Sequence, residues 1–375
     1  MHAALCIHQQ LRMILRSYRT LARAPSSITP PSTCPPKRRR YAIQAGGAPI
    51  AEVFSARTKY IHKQRAAANI PQSRQVDYLR DEIAARLCDR LLDINRHFPR
   101  VLDFGANACN VARAFARPSP DLNDETGTKV TEPIGKRIGE IVCTETSPSL
   151  LYRDEHEPFN SEMAITREVL QNAEYLPYEP DSFDLVLSSQ SLHWINDLPS
   201  VLTQINTCLK PDAPFLAAMS GGDTLYELRG SLQLAEQDRL GGIGTHISPL
   251  ADVRDVGNLL SRAGFKLLTV DVDDIVVDYP DIFALMSDLQ AMGEANAALR
   301  REKGGISRDV LLAAEGIYRE MYGELGEDGG VRLPATFRTV YMIGWKEGGS
   351  TPRALERGTG EANLVDVLGG GGRIG

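Results

Sequence analysis

No stretch of the 375 residues approaches the roughly 20 consecutive apolar positions that a helix needs to cross a bilayer, so any membrane contact read from the sequence is peripheral. Cysteine is sparse: Cys6, Cys34, Cys88, Cys109, Cys143 and Cys208 are scattered, with no C-x-x-C pair. That spacing argues against a disulfide framework or a cysteine zinc site and predicts reduced, mostly buried thiols. None of the seven histidines begins an H-x-D or H-x-E triplet, the compact spacing of a two-His-one-carboxylate iron site. There is no internal repeat. Acidic residues are missing altogether from the first 51 positions.

The amino-terminal segment is instead basic. It carries Arg12, Arg16, Arg19, Arg23, Lys37, Arg38, Arg39 and Arg40, and without these eight charges the formal net charge of −6 becomes −14. An acidic body argues against non-specific nucleic-acid binding, which works by neutralising phosphates. Arg12, Arg16, Arg19 and Arg23 fall on one face of a helix, with Leu11, Ile14, Leu15, Tyr18 and Leu21 elsewhere on it. An amphipathic, Arg- and Ser-rich, acid-free segment has the pattern of a mitochondrial transit peptide, expected over 1–45. The other reading is a basic arm for nucleic acid or membrane. A secretory signal is excluded because no long apolar segment follows the positive residues.

The whole chain is 42% hydrophobic and 24% charged, enough apolar material for a full core. Residues 46–98 read as a helical region, with apolar positions three and four apart along Tyr78–Leu92. From 99 to 220 the texture alternates. Val101-Leu102-Asp103-Phe104-Gly105, Ile141–Thr144, Phe183–Ser189 and Phe215–Met219 read as buried strands, separated by helix-length segments and by a polar insertion at 117–137. Such alternation argues for βαβ units and a parallel sheet. From 221 to 345 the texture is helical, with candidates at 225–240, 250–263, 281–299 and 307–322 and late strands at 269–279 and 337–345. This region is expected to provide a lid that starts at Gly221. Residues 346–375 are Gly-rich and expected to be disordered.

Open α/β sheets bind ligands beyond the carboxyl ends of their strands, and each candidate site motif lies at such an end. Asp103-Phe104-Gly105 ends the first strand. Glu145 ends the second, where an acid can accept hydrogen bonds from a ribose diol. Asn172-Ala173-Glu174 follows the third, where Asn172 could read an adenine edge. Ser189-Gln190-Ser191-Leu192-His193-Trp194 follows the fourth.

In that order the motifs D-x-G, E-T-S-P-S-L-L, N-A-E-x-L-P, F-D-L-V-L-S-S and L-K-P resemble the class I methyltransferase family. The resemblance implies a Rossmann-like α/β fold: a mostly parallel seven-stranded sheet with helices on both faces and a helical insertion. It implies that Asp103, Gly105, Glu145, Asn172 and Ala173 hold S-adenosylmethionine, with Ala106, Asn107, Thr146 and Ser189 beside them in the same turns. One departure is plain. The usual D-x-G-x-G-x-G reads here Asp103-Phe104-Gly105-Ala106-Asn107-Ala108-Cys109. Two glycines that permit positive φ and close ligand approach are replaced, which predicts a weaker hold on the cofactor. Asn107 is the milder loss.

A longer resemblance covers about 172–346. Gly221–Arg229 (G-G-D-T-L-Y-E-L-R), Gly241–Pro249 (G-G-I-G-T-H-I-S-P), Met286–Glu294 and Tyr341–Lys346 carry it. They resemble the mitochondrial complex I assembly factor family described as an arginine hydroxylase, itself similar to the malonyl-carrier-protein methyltransferase of biotin synthesis. That resemblance implies hydroxylation of an arginine on an iron–sulfur subunit of the NADH dehydrogenase arm, at the matrix face of the inner membrane. A small adaptor subunit is a further implied partner. No motif names an oxidant, and no metal ligand set is assigned. Asp223, His193 and His246 are the candidate catalytic residues, on the condition that the fold brings them together. Glu227, Asp223 and Glu174 are candidates for an acidic rim that would suit a guanidinium. An ordinary methyltransferase and a non-catalytic assembly chaperone, with 281–322 as its partner surface, remain the alternatives.

Overall fold

The structure, a computed structural model, describes residues 52–118, 132–301, 305–326 and 329–351. The import signal expected at 1–45, most of the expected insertion at 117–137 and the tail beyond 351 lie outside the described residues. Three helices lead in: α1 (Ala56–Ala68), α2 (Ile70–Gln75) and α3 (Tyr78–Leu92). Then come β1 (Phe98–Phe104), α4 (Asn110–Phe115), β2 (Ile138–Glu145), α5 (Pro148–Leu151), β3 (Ala164–Val169), β4 (Leu185–Ser189), α6 (Leu198–Cys208) and β5 (Pro214–Ser220). The second half adds α7 (Tyr226–Leu240), α8 (Val253–Arg262), β6 (Lys266–Tyr279), α9 (Ile282–Met292), α10 (Arg308–Tyr322), β7 (Glu324–Leu325) and β8 (Val331–Trp345).

The strands form one sheet in the order β3-β2-β1-β4-β5-β8-β6, with the two-residue β7 on β8. Pairs β1–β2, β1–β4, β2–β3 and β4–β5 are parallel, and β8 runs antiparallel to both β5 and β6. This is the class I methyltransferase arrangement that the motifs imply. Its central strands are buried on both faces, so they read as near-continuous apolar runs. Successive residues alternate between two cores. Val101, Leu185, Leu187 and Leu216 join a core with α3, α4, α7, α9 and α10. Leu102, Val186, Phe215 and Ala217 join the other, with α6 and α8.

Two expected elements are corrected. The helix read over 281–299 stops at Met292, because Gly293 takes φ +74° and caps it. Only glycine enters that conformation freely, and a Cβ there would lie 3.3 Å from the His62 carbonyl oxygen of α1. The strand read over 337–345 begins at Val331, since Pro334 does not break it. Up to Arg338 that half of β8 pairs only with β6 among the long strands. A proline, which has no N–H to give, is tolerated on such an open edge. The Cys88, Cys109, Cys143 and Cys208 thiols are free and buried.

A buried ionic cluster clamps the leading helices to the sheet. The Arg153 side chain, fully enclosed, donates to Asp154 at 2.6 Å and to Asp77, both carboxylates being 2% exposed. Arg153 also donates to Ser73 Oγ at 2.7 Å, and Arg74 reaches Asp154 at 2.8 Å. Burial works against ionisation of Asp154, but the Arg153 guanidinium outweighs it and keeps the carboxyl below its ordinary range. Such a depressed carboxyl stabilises the fold above its unfolded pKa, and this contribution is lost as pH falls through the folded value. Arg153→Met should therefore cost about 3 kcal/mol near neutrality, because it removes the cation in closest contact with both buried carboxylates and leaves them the more exposed Arg74 and Arg113. Urea denaturation across pH should show the deficit shrinking below about pH 4, as protonation relieves the Asp154 charge.

Candidate functional site

Beyond the carboxyl ends of β1, β2 and β3 lies a cleft of about 540 Å³. Of the sequence-predicted cofactor residues, Gly105, Glu145, Thr146, Asn172 and Ala173 line it. Asp103, Ala106, Asn107 and Ser189 are buried behind that lining. Asp103 is fully enclosed and neither carboxylate oxygen has a protein partner. Desolvation, with Cys109 and Glu145 nearby, raises its carboxyl well above the ordinary range.

The turn after β1 keeps a left-handed backbone at Gly105 (φ +72°), Asn107 (+52°) and Cys109 (+59°), although two of the three are not glycine. The Asn107 amide donates to the Gly105 and Ser189 carbonyl oxygens, each at 3.1 Å. Cys109 Sγ faces the Leu151 carbonyl oxygen at 3.9 Å. Gly105 cannot be replaced so readily. A Cβ there would lie 2.1 Å from Ser191 Oγ, which the turn after β4 presses against it.

Glu145 is 3% exposed. Its Oε1 accepts from the Thr146 backbone at 2.7 Å and the Thr146 hydroxyl at 2.9 Å, and its Oε2 from Lys63 at 2.7 Å. Burial opposes its ionisation, but the Lys63 ammonium and Thr146 lower it below the ordinary carboxylate range. Trp194, from the stretch after the fourth strand, lines the cleft. Its indole N–H donates to Glu294 at 2.7 Å, and the Lys59 ammonium sits 3.9 Å above its ring. Lys59 also donates to Glu294 at 2.6 Å and to the Gly293 carbonyl oxygen at 2.9 Å. Burial pulls Lys59 down to about 7, against the pull of Glu294. Glu294 itself is held well below its ordinary value: burial resists, and Lys59, His193 and Arg80 prevail.

The three candidate catalytic residues do not converge. Asp223 points to solvent, its side chain 65% exposed and paired with Arg338, because its segment is stapled by the Gly221 N–H to the Arg338 carbonyl oxygen of β8. His193 is buried beside Trp194, with Nε2 3.7 Å from Glu294 and Nδ1 unpartnered. Desolvation lowers its pKa, so it is neutral. His246 is paired with Glu236 at a separate cleft of about 170 Å³ that includes Arg229 and Thr245. Nor does the segment from Gly221 roof the main cleft. The wall there is α1, contributing Arg57, Lys59, Tyr60 and Lys63. Of the three rim acids only Glu174 lines the cleft, its Oε1 accepting from the Asn196 N–H at 3.0 Å. Glu227 is buried and bonded to Thr336.

What the sequence reading missed is therefore α1 and Glu294. The available signal was the spacing: Lys59 and Lys63 stand four apart, on the face that also buries Ala66 and Ala67. Lysines on a buried helical face demand carboxylate partners.

Gly105→Ala should lose about 1–2 kcal/mol to the left-handed backbone alone, with a further loss to the clash with Ser191. Combining it with Ser191→Gly should return the steric part only. Denaturation midpoints of both variants test this, and a Gly105→Ala protein as stable as the parent would contradict the geometry.

The methyltransferase-domain family matches residues 76–270. Over 302 residues the chain is 48% identical to the human mitochondrial arginine-hydroxylase NDUFAF5, covering 80% of this chain and 79% of that one. The Dictyostelium discoideum protein of the same name is 37% identical, over 84% of this chain and 71% of its own. A malonyl-[acyl-carrier protein] O-methyltransferase of Halorhodospira halophila is 32% identical, over 79% of this chain and 89% of its own. Identity of that order across four-fifths of the chain, carried on a methyltransferase-type sheet, makes this protein a member of the NDUFAF5 arginine-hydroxylase family.

Proposed function

We propose that the chain hydroxylates a protein arginine during assembly of mitochondrial complex I, acting on an iron–sulfur subunit of the NADH dehydrogenase arm from the matrix side of the inner membrane. The observation that carries this reading is the 48% identity to the human arginine hydroxylase over 302 residues. The cleft is compatible with the substrate. Glu174 offers a carboxylate oxygen at its rim, and Trp194 and Tyr60 offer aromatic faces. A guanidinium pairs with the first and stacks on the second. No helix among the described residues is long and apolar enough to cross a membrane, so contact with the inner membrane is peripheral in this proposal. A small adaptor subunit belongs to the same proposal.

The residues present also fit S-adenosylmethionine. Glu145 presents its carboxylate at the end of β2, Gly105 lines the floor without a side chain, and Asn172 and Ala173 line the cleft beyond β3. Glu145 would accept the ribose hydroxyls, and Asn172 would meet the adenine edge. When bound, this group supplies a methyl on a sulfonium. Lys63 holds Glu145 ionised, and Trp194 is fixed by its bond to Glu294, so the walls are set before a ligand arrives. This fit favours a second reading, protein or small-molecule methylation, to which the match of residues 76–270 to the methyltransferase domain also points.

Two measurements decide. Calorimetry should show S-adenosylhomocysteine binding, and no heat at high micromolar ligand removes the cofactor from the account. Intact mass of the iron–sulfur subunit from cells lacking this protein should fall short of wild type by about 16 Da for hydroxylation or about 14 Da for methylation. An unchanged mass leaves only a chaperone.

A further inference from the structure

The cofactor reading leaves a cation unexplained. Lys63 lies on α1, 4% exposed, with its ammonium directed at Glu145, and it lines the same cleft. Among the described residues Glu145 has no other cation within hydrogen-bond distance: the Thr146 backbone and hydroxyl, and the Ser147 N–H at 3.4 Å, all crowd onto Oε1 and leave Oε2 to Lys63. The helix carrying Lys63 is fixed at its other end. Ser55 donates its backbone N–H to the Ala297 carbonyl oxygen at 2.8 Å, and Lys59 is bonded to Glu294. Its ammonium therefore reaches Oε2 from a wall that is already anchored.

We propose that Lys63 is a positioning residue of the nucleoside site: it keeps the Glu145 carboxylate charged and aimed into the cleft, so that Oε2, the oxygen that Thr146 and Ser147 leave free, remains an acceptor for a ribose hydroxyl. The proposal rests on the cofactor reading above and goes beyond it by assigning the role to α1. A carboxylate accepts through both oxygens, whereas a protonated carboxyl gives up part of that capacity to its own O–H. The surroundings of Glu145 explain why a cation is needed. From α1 come Lys63, Lys59 and, at the rim, Arg57; from β1 comes Asp103; from the segment after β3 comes Glu174. Lys59 is already engaged by Glu294, which leaves Lys63 as the ammonium in contact with Glu145. Without Lys63, burial would drive Glu145 towards its neutral form.

The test is calorimetry of the full chain with S-adenosylhomocysteine between about pH 5.5 and 8.5, the range over which a buried carboxyl freed of its cation is expected to titrate. Each variant is read as a ratio of Kd to wild type, which cancels titration of the ligand. For Lys63→Met the ratio should rise as pH falls, by about tenfold per unit of separation between the working pH and the raised Glu145 pKa. Lys63→Arg should restore a flat ratio near one. Glu145→Gln should bind more weakly at every pH, and adding Lys63→Met to it should introduce no slope. A flat ratio for Lys63→Met, or a slope that persists in the double variant, overturns the proposal while leaving the cofactor reading intact. A wild type that gives no heat overturns both. Should Lys63→Met not fold, a carbon-13 titration of wild-type Glu145 serves: it should stay ionised below its ordinary value of 4.5, and titration above that value refutes the role.

Discussion

Two buried ammonium groups, four residues apart on one helix, set the terms for the whole carboxyl edge of the sheet. Lys59 and Lys63 are 7% and 4% exposed, a burial that lysine tolerates only with a charged partner in contact. Their partners come from opposite parts of the chain: Glu145 from the end of β2, and Glu294 from just beyond α9. Sliding or turning α1 by one residue would strand both ammonium groups and take from Glu145 its cation. Arg80 of α3 reaches the same Glu294 at 2.8 Å and the Met292 carbonyl oxygen at 2.7 Å, which ties a second leading helix to the same place. Breaking one member of such a pair costs more than the pair contributes, because the survivor is left uncompensated in low dielectric. The cleft wall is accordingly a consequence of charge burial rather than of apolar packing.

How far the fold could be read from sequence follows from how each element is buried. β1, β4 and β5 stood out because a parallel strand covered on both faces must be apolar at nearly every position, as Leu185–Leu187 and Pro214–Met219 are. β3, Ala-Ile-Thr-Arg-Glu-Val, lies at the edge with only partial burial, so its composition gives no comparable signal and its limits could not be drawn. The errors at α9 and β8 are of another kind. Helical periodicity continues past Met292 in the sequence, and only the left-handed backbone at Gly293 ends it. Pro334 looks like a strand breaker until the pairing of β8 with β5 proves to start five residues later, at Thr339. In both cases tertiary context outweighed a sound local rule.

The site divides in the same way. Gly105, Glu145, Asn172 and Ala173 were legible because topology places strand ends together, so chain order alone predicts their meeting. Asp223, His193 and His246 carry no such guarantee. Each was chosen for its chemistry, and each turned out to have a local partner that accounts for it: Arg338, Glu294 and Glu236. The contribution of α1 was hidden because it precedes the sheet in the chain. No rule about strand ends reaches it, and only the pairing of its lysines with distant acids brings it to the cleft.

The replaced glycines then take on a different meaning. The concern raised by the sequence was clearance, because a side chain at Asn107 or Cys109 could fill space that a ligand needs. Neither residue lines the cleft: Asn107 is 2% exposed and turned to the carbonyls of Gly105 and Ser189, and Cys109 is fully buried against Leu151. The one glycine retained, Gly105, is the one that lines the cleft and meets Ser191. What the replacements cost is backbone strain, about 1–2 kcal/mol for a residue held left-handed, less at Asn107 where local hydrogen bonds offset it. Such strain persists only where the surrounding structure over-determines it. Here β1, β2 and β4 do so through the Ala106 N–H to the Thr144 carbonyl oxygen at 2.8 Å and through Asn107 on Ser189. The turn has thus kept the shape of a ligand-binding loop without the residues that make that shape easy.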